Sequence, residues 1–567
     1  MSQNLASLGR TLPNTKSTIV TSALPYANGE IHLGHIASTY LPADIFTRYL
    51  RLEGNEVYHI CASDDYGTPV LIKAEKEDKT PSEYVKFWKE RDEADFKSIG
   101  ISFDFFYSTS AKENKQFVQY VFKKLFEKGH IYEQEVVQFY CEQDKKFLPD
   151  RYVVGVCPYC LAENQYSDIC ERCGRVPVEI LNPKCSICGL PPVKRTSNHY
   201  FFRLSFFSDE LKKWLTNNEN LQLDIVKYVL NWIKEGLTDW DITRDLSWGI
   251  PVPRDNASGK VFYGWFDNHL CYISTLVAFM QNFNRDAKEF WNSSEIYHFI
   301  GKDIVYPHYL FLPAIRMGIE EEYKLPDFMP CRGHLMLQNQ KISKSRNWYI
   351  SLSDFIDSFN ADYLRFYLAS ITPYSQTDIN FDWDDFSKKI NNELIANIGN
   401  FINRTLSFIC KSFDGKVPNP LKYDDEDQHR ILSIKMISNE VGSLILQNEF
   451  AKALRKILMF TTMFNQYFQK KKPWANKEEA RTTLYISVNA VRSLAIVLQP
   501  YIPFSAQKIW LQLGFKDSVS LQGWKTVSEM KIRPGHILGK VEPVFHKIER
   551  KEIDEKKLEL TRRKNER

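Results

Sequence analysis

Residues 17–35 read STIVTSALPYANGEIHLGH, and this stretch decides the predicted fold. Residues 17–24 have the apolar composition of a buried strand, PYANGE is a loop, and a helical pattern runs from about residue 34 to residue 50. A second apolar strand, residues 57–62, ends in Ser-Asp-Asp-Tyr-Gly before another helical stretch. This alternation predicts a parallel α/β sheet whose ligands bind at the C-terminal ends of the strands.

The overall composition excludes several classes of protein. The chain has 567 residues, of which 43% are hydrophobic and 25% are charged, so it is folded and too long for one domain. Its net charge of +4 excludes attachment to nucleic acid by bulk charge alone. No run approaches the roughly 20 apolar residues of a membrane helix, and residues 1–15 lack a signal pattern. We therefore expect a cytoplasmic protein without a membrane partner.

The α/β pattern is interrupted once and then gives way to helices. From about residue 136 to residue 197 the composition changes to Cys, Pro, Gly and Arg, and the α/β pattern resumes near Trp240. Long amphipathic helices, which indicate a helical bundle, are predicted over residues 386–410, 427–468 and 477–499. The stretch from Lys547 is mostly charged and is predicted to be a solvated helix or a frayed tail.

Two histidines flank the point where the first loop meets its helix, in His32-Leu33-Gly34-His35. Free backbone N–H groups and the helix dipole favour anions at such a point, so two imidazoles there are suited to binding polyphosphate. Taken alone, the four residues are also compatible with incidental surface or capping histidines.

A second motif lies far downstream, in Lys341-Ile342-Ser343-Lys344-Ser345. It follows a predicted apolar strand and sits in a polar loop, where two lysines and small hydroxyl residues form a mobile cationic clamp. An ordinary basic surface loop is the alternative for five residues taken alone.

Six of the eleven cysteines form three Cys-x-x-Cys pairs between residues 157 and 188. This clustering favours a metal over a disulfide framework or free buried thiols, and tetrahedral zinc is the default for paired knuckles. Ligand sets that include the third pair, Cys185 and Cys188, stay open. A second metal ion is expected if the preceding Cys-x-x-Asp, Cys141 and Asp144, supplies ligands as well. The predicted ligands are Cys157, Cys160, Cys170 and Cys173, with Cys185 and Cys188 as a second site that Cys141 or Asp144 would complete.

HLGH and KISKS, in this order and on this sheet pattern, resemble the HIGH and KMSKS signatures of class I aminoacyl-tRNA synthetases, most closely those of the methionine-specific branch. The resemblance covers about residues 15–510 and includes ALPYANG (23–29), WDITR (240–244), GKDIVYPH (301–308) and GNFINR (399–404). It implies an α/β fold: a Rossmann-like parallel-sheet catalytic domain, split by a zinc-knuckle connective insertion and followed by an α-helical bundle that binds the anticodon.

The implied segments follow from this fold. They are residues 1–135 and 201–335 for the two catalytic halves, 136–200 for the insertion, 336–385 for the KISKS loop and stem-contact linker, 386–520 for the bundle, and 521–567 for a C-terminal extension with a charged tail.

The reaction that the resemblance implies is activation of methionine by ATP to methionyl-adenylate, with release of pyrophosphate, and transfer of methionine to the 3′ end of its tRNA. The methionine carboxylate is already a nucleophile, so catalysis should come from alignment and from cations that meet the charge on pyrophosphate. Mg²⁺ accompanies ATP. The residues implied to bind or act on ATP are His32, Gly34, His35, Asp303, Lys341 and Lys344.

A pocket for an unbranched thioether should be apolar with a few polar tips, because sulfur packs well against aromatic rings. The matching positions are Ala23, Leu24, Tyr26, Asp64, Trp265, Tyr272 and His308, with Asp64 as the anchor of the amino group. Judged locally, Asp64 is equally a helix N-cap, and each aromatic residue is an ordinary core residue.

The chain departs from the family pattern beside this pocket. After Trp265-Phe266-Asp267 the family usually continues Ala-Pro-Ile-Gly-Tyr, whereas this chain has Asn-His-Leu-Cys-Tyr. We therefore expect a pocket wall of different shape.

Three bundle residues are implied to read the anticodon: Asn400, Arg404 and Trp474. RNA loops are recognised by amide and guanidinium hydrogen bonds to splayed bases and by aromatic stacking. The local alternative is a solvated helix face and a buried tryptophan.

The implied partners are ATP, L-methionine and tRNA(Met), including initiator tRNA. Some family members carry a further C-terminal tRNA-binding and dimerising domain, and this chain ends soon after the bundle, so we expect a monomer with a separate tRNA-binding protein as a candidate partner.

Three alternatives to this function were weighed. Synthetases for leucine, isoleucine or valine usually need a separate hydrolytic domain, for which the insertion of about sixty residues has no room. A cysteinyl enzyme is less favoured, because no catalytic-centre zinc ligands are evident near HLGH in this chain. A non-catalytic zinc protein that binds structured RNA leaves HLGH, KISKS and Asp64 unexplained.

Overall fold

The computed structural model describes residues 17–565, except residues 168, 169, 171, 174, 176, 178 and 321. The first 16 residues and the last two, which the sequence analysis assigned to the first catalytic segment and to the charged tail, lie outside the described residues.

A five-stranded, all-parallel sheet forms the centre of the catalytic half. Its strands are β1 (Thr18–Ser22), β2 (Val57–Ser63), β3 (Phe105–Ser108), β4 (Glu295–Gly301) and β5 (Cys331–Arg332), in the order β5-β4-β1-β2-β3. β1 is buried at all five positions, as its apolar and small residues require. The predicted parallel α/β fold is confirmed.

The order of the strands determines where the ligand cleft opens. From β1 the chain adds β2 and β3 on one side, and β4 and β5 add on the other, so the direction of winding reverses between β1 and β4. In such sheets the loops at the C-terminal ends of the strands diverge at the reversal and leave a crevice. The PYANGE loop follows β1, and the GKDIVYPH segment starts at the last residue of β4, so both lie at this crevice.

Helices cover both faces of the sheet and continue through the second catalytic half. Two short stretches in this region are π-helical, Ile36–Tyr40 and Pro307–Phe311, and a longer π-helix, Ile390–Gly399, lies in the bundle segment. The α-helices up to the KISKS region are Leu33–His35, Leu41–Leu52, Thr68–Lys76, Pro81–Ser98, Lys112–Glu127, Ser208–Asn217, Leu223–Glu235, Gly264–Gln281, Ala287–Ser293 and Leu312–Gly318.

The cysteine-rich insertion is carried on a long antiparallel arm. Ile131–Cys141 pairs with Val193–Phe202 from Ile131 opposite Phe202 to Tyr140 opposite Val193. Lys146–Phe147 and Trp240–Asp241 extend this sheet at its edges. Between the two arm strands lies a separate three-stranded sheet of Val153–Val156, Gln165–Tyr166 and Leu181–Cys185.

Short strands surround the KISKS motif and link the catalytic half to the bundle. Leu335–Leu337 pairs antiparallel with Gln340–Lys341 and parallel with Ile379–Phe381. The remaining short strands are Thr243–Arg244 and Val261–Phe262, and two helices, Leu352–Ile356 and Ala361–Ile371, follow the motif.

The bundle is built around one central helix, Ala480–Leu498, in which every residue from Ile486 onward is buried. The helices packed around it are Asn400–Phe413, Asp425–Leu446, Phe450–Lys471 and Pro503–Gln512, and Trp383–Lys389 leads into the bundle. The prediction of a helical bundle is confirmed. The prediction of a single helix over residues 427–468 was wrong, because two helices, Asp425–Leu446 and Phe450–Lys471, occupy that stretch. The chain turns at Asn448, whose φ of 61° is left-handed, and asparagine tolerates this conformation better than most residues.

The charged C-terminal stretch is a helix, Arg550–Asn565, that lies against the linker. Ile553 and Leu560 are buried, and Arg563 forms an ion pair with Asp354 at 2.6 Å. Of the two predicted forms, the helix is confirmed and the frayed tail is wrong. No helix among the described residues is both long and apolar enough to cross a membrane.

Candidate active site

A cavity of about 810 Å³ opens at the C-terminal ends of β1, β2 and β4. The structure brings nearly all of the predicted ATP and amino-acid residues to its wall. They are Ala23, Leu24, Tyr26, His32, Gly34, His35, Asp64, Trp265, Tyr272, Asp303, His308 and Lys341. Lys344 is the one member of the two sets that does not line the cavity.

The two histidines of HLGH are stacked and neutral. Their ring centroids are 3.6 Å apart with 17° between the planes. Burial, together with the Lys344 charge, lowers the pKa of His32 to about 3, and burial together with His32 and Lys344 lowers that of His35 well below its usual value. His35 Nδ1 accepts a hydrogen bond from the His32 backbone N–H at 3.1 Å. The His35 proton therefore resides on Nε2, which is left as a donor.

The glycine of HLGH is required by close packing. A Cβ on Gly34 would lie 3.1 Å from the His32 ring and 3.2 Å from Ile342 Cδ1 of KISKS. The two motifs, which are more than 300 residues apart in sequence, are thus in direct contact through a position that has no side chain.

Lys344 lies over the PYANGE loop. Its Nζ is 3.5 Å from the position that a Cβ of Gly29 would occupy, and Lys73 Nζ is equally close to that position. Burial and the neighbouring Lys73 charge lower the pKa of Lys344 to about 8, although Asp92 acts in the opposite direction. Two cations therefore stand side by side at this rim of the site.

Asp64 is buried at the end of β2 and is not an N-cap: the capping position before the following helix, Thr68–Lys76, is Gly67. Burial and the neighbouring Asp65 raise the pKa of Asp64 to about 7, although a hydrogen bond from Asn268 acts in the opposite direction. Asn268 Nδ2 donates to Asp64 Oδ2 at 3.3 Å.

Tyr272 and His308 are hydrogen-bonded to each other. His308 Nδ1 is 2.9 Å from the Ile304 carbonyl oxygen, so Nδ1 carries the proton, and the Tyr272 hydroxyl donates to Nε2 at 3.0 Å. Burial lowers the pKa of His308 to about 4, so the ring is neutral. This part of the wall is neutral, and its donors are already in use.

Several cavity residues escaped the sequence analysis: Ser38, Thr39, Arg151, Trp248, Asn268, Ile304 and His334. Arg244 also lines the cavity, and its presence in the WDITR block was the available signal. Asn268 belongs to the Asn-His-Leu-Cys-Tyr stretch that departs from the family pattern. The sequence predicted only a different shape of the pocket wall there, and not a role for this side chain. His334 Nε2 lies 3.5 Å from Asp303 Oδ1 and had no sequence signal.

The cysteines of the insertion form two separate clusters. In the first, the sulfurs of Cys157, Cys160, Cys170 and Cys173 all lie within 4.8 Å of one another. In the second, Asp144 Oδ2 accepts hydrogen bonds from Cys141 at 3.0 Å and Cys185 at 3.1 Å, and Cys188 Sγ is 3.4 Å from Cys141 Sγ. Four converging donors, all thiols in one cluster and three thiols with a carboxylate in the other, fit a tetrahedral metal ion.

The predicted anticodon residues lie on one side of the bundle. The Arg404 guanidinium stands over the Trp474 ring at 5.5 Å and over the Phe468 ring at 4.9 Å. Trp474 is 45% exposed and so is not the buried tryptophan of the alternative. Asn400 donates to Asn465 Oδ1 at 3.3 Å one turn before Arg404.

Comparison with known proteins decides the family. A family model described as "tRNA synthetases class I (M)" matches residues 18–406, and one described as "Anticodon-binding domain of tRNA ligase" matches residues 434–561. A methionine–tRNA ligase of Methanopyrus kandleri is 41% identical over 550 residues, which is 95% of this chain and 81% of that protein.

The chain belongs to the methionine–tRNA ligase family of class I synthetases.

Two other members of this methionine–tRNA ligase family agree. The protein of Methanobrevibacter smithii is 42% identical and covers 95% of this chain and 82% of its own length. The protein of Thermococcus kodakarensis is also 42% identical, over 94% of this chain and 74% of its own length.

Solved structures of the methionine–tRNA ligase family share the fold. The crystal structure of Mycobacterium tuberculosis methionyl-tRNA synthetase bound by methionyl-adenylate has a TM-score of 0.78 at 23% identity, and covers 94% of this chain and 100% of that one. The free-state form of that enzyme has a TM-score of 0.71 at 23% identity, with 95% of this chain and 100% of that one covered.

Proposed function

We propose that this chain activates L-methionine with ATP to methionyl-adenylate and then transfers methionine to the 3′ end of tRNA(Met), including initiator tRNA. The observation that carries the proposal is the contact between Gly34 and Ile342, which brings HLGH and KISKS to one end of a cavity whose wall also holds Asp64. The family supports the same reaction.

In the first step, a methionine carboxylate oxygen attacks the α-phosphorus of ATP while the bond from that phosphorus to the bridging oxygen of pyrophosphate breaks. The carboxylate is already ionised, so the protein has to supply alignment and charge rather than a base. The His35 Nε2–H donor and the Lys341 and Lys344 ammonium groups are suited to the negative charge that moves onto pyrophosphate. Mg²⁺ enters with ATP, and Asp303 is the candidate acceptor for the ribose hydroxyls.

In the second step, a ribose hydroxyl of the tRNA attacks the adenylate carbonyl, and AMP leaves. The exposed Trp474 ring, with Arg404 beside it, is suited to stacking with splayed bases, and Asn400 offers an amide one turn away from Arg404. We assign anticodon reading to these three residues.

Selection of methionine rests on the neutral end of the cavity. Because the Tyr272 hydroxyl proton is used by His308, this wall presents no free strong donor to a side chain. A thioether loses little solvation free energy when it leaves water, whereas a polar side chain of similar size would lose its hydrogen bonds to water and gain none in this part of the cavity. Leu24 and Trp265 supply the apolar contact area.

The two cysteine clusters are proposed to hold structural zinc. Cys157, Cys160, Cys170 and Cys173 would hold one ion, and Cys141, Asp144, Cys185 and Cys188 would hold the second. Bound zinc would cross-link the ends of the small sheet, which has little core of its own.

The domain roles follow the segments given by the sequence: two catalytic halves, insertion, KISKS linker, bundle and C-terminal extension. We further propose a cytoplasmic location, because the family acts in protein synthesis, and a monomer with a separate tRNA-binding protein as a candidate partner. A mass near 66.5 kDa in sedimentation tests the monomer, and a mass near twice that value would refute it.

Charging of a tRNA(Met) transcript with labelled methionine tests the whole reaction. The proposed function requires methionyl-tRNA to accumulate only when ATP is present. A transcript with an altered anticodon is the control and should be charged poorly.

A further inference from the structure

One face of the helix Gly264–Gln281 lines the cavity and places a polar residue between two aromatic ones. Trp265, Asn268 and Tyr272 stand three and four residues apart, so they share this face. Asn268 is 6% exposed. A buried amide requires hydrogen-bond partners for both its N–H and its C=O groups.

Asn268 makes one hydrogen bond and leaves its acceptor unused. Its Nδ2 donates to Asp64 Oδ2, whereas Oδ1 of Asn268 and Oδ1 of Asp64 are both buried without a partner. The bond also fixes the orientation of the amide, because the swapped orientation would bring two acceptor oxygens within 3.3 Å. Two linked side chains therefore offer two unpaired acceptors, one of them a carboxylate oxygen, at one wall of the cavity.

From this geometry we propose that Asn268 is a second binding group for the α-ammonium of the amino-acid substrate: its N–H holds Asp64, and its amide oxygen accepts one ammonium N–H. The inference rests on the proposed function and deepens it. A primary ammonium has three N–H donors, so Asp64 Oδ1 and Asn268 Oδ1 would fix its direction as well as its charge. The alanine usual at this position in the family offers no such acceptor.

The surroundings favour a cation over a neutral donor. Asp65 is 1% exposed and Asp267 is fully buried. Burial and Asp65 raise the pKa of Asp64, and burial together with Asp64 and Asp65 raises the pKa of Asp267 well above its usual value, so Asp267 is neutral. Both carboxylate oxygens of Asp267 lack hydrogen-bond partners. In a site of low polarity the ionised Asp64 carboxylate attracts positive charge more strongly than a water-exposed acid does.

The test uses two variants and one control on the same helix. Asn268→Ala removes both polar atoms, and Asn268→Leu does so with little change of volume, so that one of them serves if the other folds poorly. Ser274→Ala is the control, because Ser274 is buried and loses its hydrogen bond to Asn114 but does not line the cavity. Thermal denaturation verifies that each variant is folded.

The readout is pyrophosphate exchange with L-methionine as substrate and two competitive inhibitors. Methioninol keeps the ammonium and lacks the carboxylate, whereas 4-(methylthio)butanoic acid keeps the carboxylate and lacks the ammonium. Both Asn268 variants should raise the KM for L-methionine and the inhibition constant of methioninol by about tenfold or more, because a hydrogen bond to a charged group is lost. Inhibition by 4-(methylthio)butanoic acid and the KM for ATP should stay nearly unchanged, and Ser274→Ala should alter none of them.

Equal losses for the two inhibitors, or an unchanged methioninol affinity, would overturn the inference. If the unaltered protein shows no methionine-dependent exchange, the proposed function fails instead, so the two failures are distinguishable.

A pH profile gives a second readout that a purely structural role would not move. The bond from Asn268 lowers the pKa of Asp64, while burial and Asp65 raise it. Asp267 and Tyr272 also lie close enough for Asp64 to raise their pKa values. Both variants should therefore move the acid limb of kcat/KM for methionine to higher pH. An unmoved limb would count against the assigned hydrogen bond.

Discussion

Gly34 and Ile342 touch across the active-site cleft: a Cβ on the glycine would lie 3.2 Å from Ile342 Cδ1. This contact joins HLGH to KISKS and makes the glycine a packing requirement. The position of the KISKS lysines thus depends on a residue far away in sequence.

Gly34→Ala should lower kcat/KM for ATP by about tenfold or more, because the methyl group displaces His32 or Ile342 by a few tenths of an ångström and misaligns the cations. The KM for methionine should change little. Steady-state pyrophosphate exchange checks both values. Gly523→Ala is the matched control, since its Cβ would meet only an ordinary contact at 3.7 Å. An unchanged rate for Gly34→Ala would show that the KISKS loop does not depend on this contact.

Lys344→Ala should slow adenylate formation by about 100-fold, the usual effect of removing one group that stabilises developing charge. Methionine binding should stay nearly intact, because Lys344 does not line the cavity. Single-turnover kinetics measure the first value and equilibrium dialysis the second. A large loss of methionine affinity would argue against a role confined to pyrophosphate.

Methionine activation should weaken at acidic pH. Burial and Asp65 raise the pKa of Asp64 to about 7, although the hydrogen bond from Asn268 lowers it, so the carboxylate is ionised above that pH and protonated below it. Only the ionised form pairs with the substrate ammonium. We expect kcat/KM for methionine to fall about tenfold per pH unit below pH 7. A profile that stays flat down to pH 5 would contradict the assignment of Asp64.

The purified protein should contain two zinc ions per chain. Asp144→Ala should leave one ion, because the second cluster would lose its carboxylate ligand. Elemental analysis checks the stoichiometry. Cys410→Ser is the control, since Cys410 is a free cysteine outside both clusters, and it should keep both ions. One ion in the unaltered protein and one in Asp144→Ala would show that the second cluster is empty.

Trp474→Ala should raise the KM for tRNA by about tenfold, as expected when one stacked base loses its platform. Pyrophosphate exchange without tRNA should be unaffected, because Trp474 lies in the bundle. Tyr228→Ala removes an aromatic side chain of similar exposure from the catalytic half and should change neither value. Equal KM values for Trp474→Ala and the unaltered protein would remove Trp474 from the anticodon site.

Local patterns were sufficient for the fold. The apolar strand of residues 17–24, its loop and the helix after it predicted the parallel sheet, because a buried strand and an amphipathic helix each have a characteristic period. The turn at Asn448 was missed because the apolar period of the bundle continues across it, and a single left-handed asparagine leaves little trace in that period.

The cavity was predictable where motifs stand at strand ends and unpredictable where distant segments meet. Asp64 was found from its place after β2. The bond from Asn268 to Asp64 joins residues 204 apart in sequence, and nothing local to either residue indicates it. For the same reason the sequence left the ligands of the second cysteine cluster undecided, since Cys141 lies on the arm and Cys188 lies beyond the small sheet.

The most direct test is amino-acid-dependent exchange of labelled pyrophosphate into ATP, run without tRNA across all twenty amino acids. The account predicts exchange with methionine alone. Exchange with a different amino acid would contradict the specificity assigned to the Tyr272–His308 wall. No exchange with any amino acid, even when tRNA is added, would contradict the proposed reaction itself.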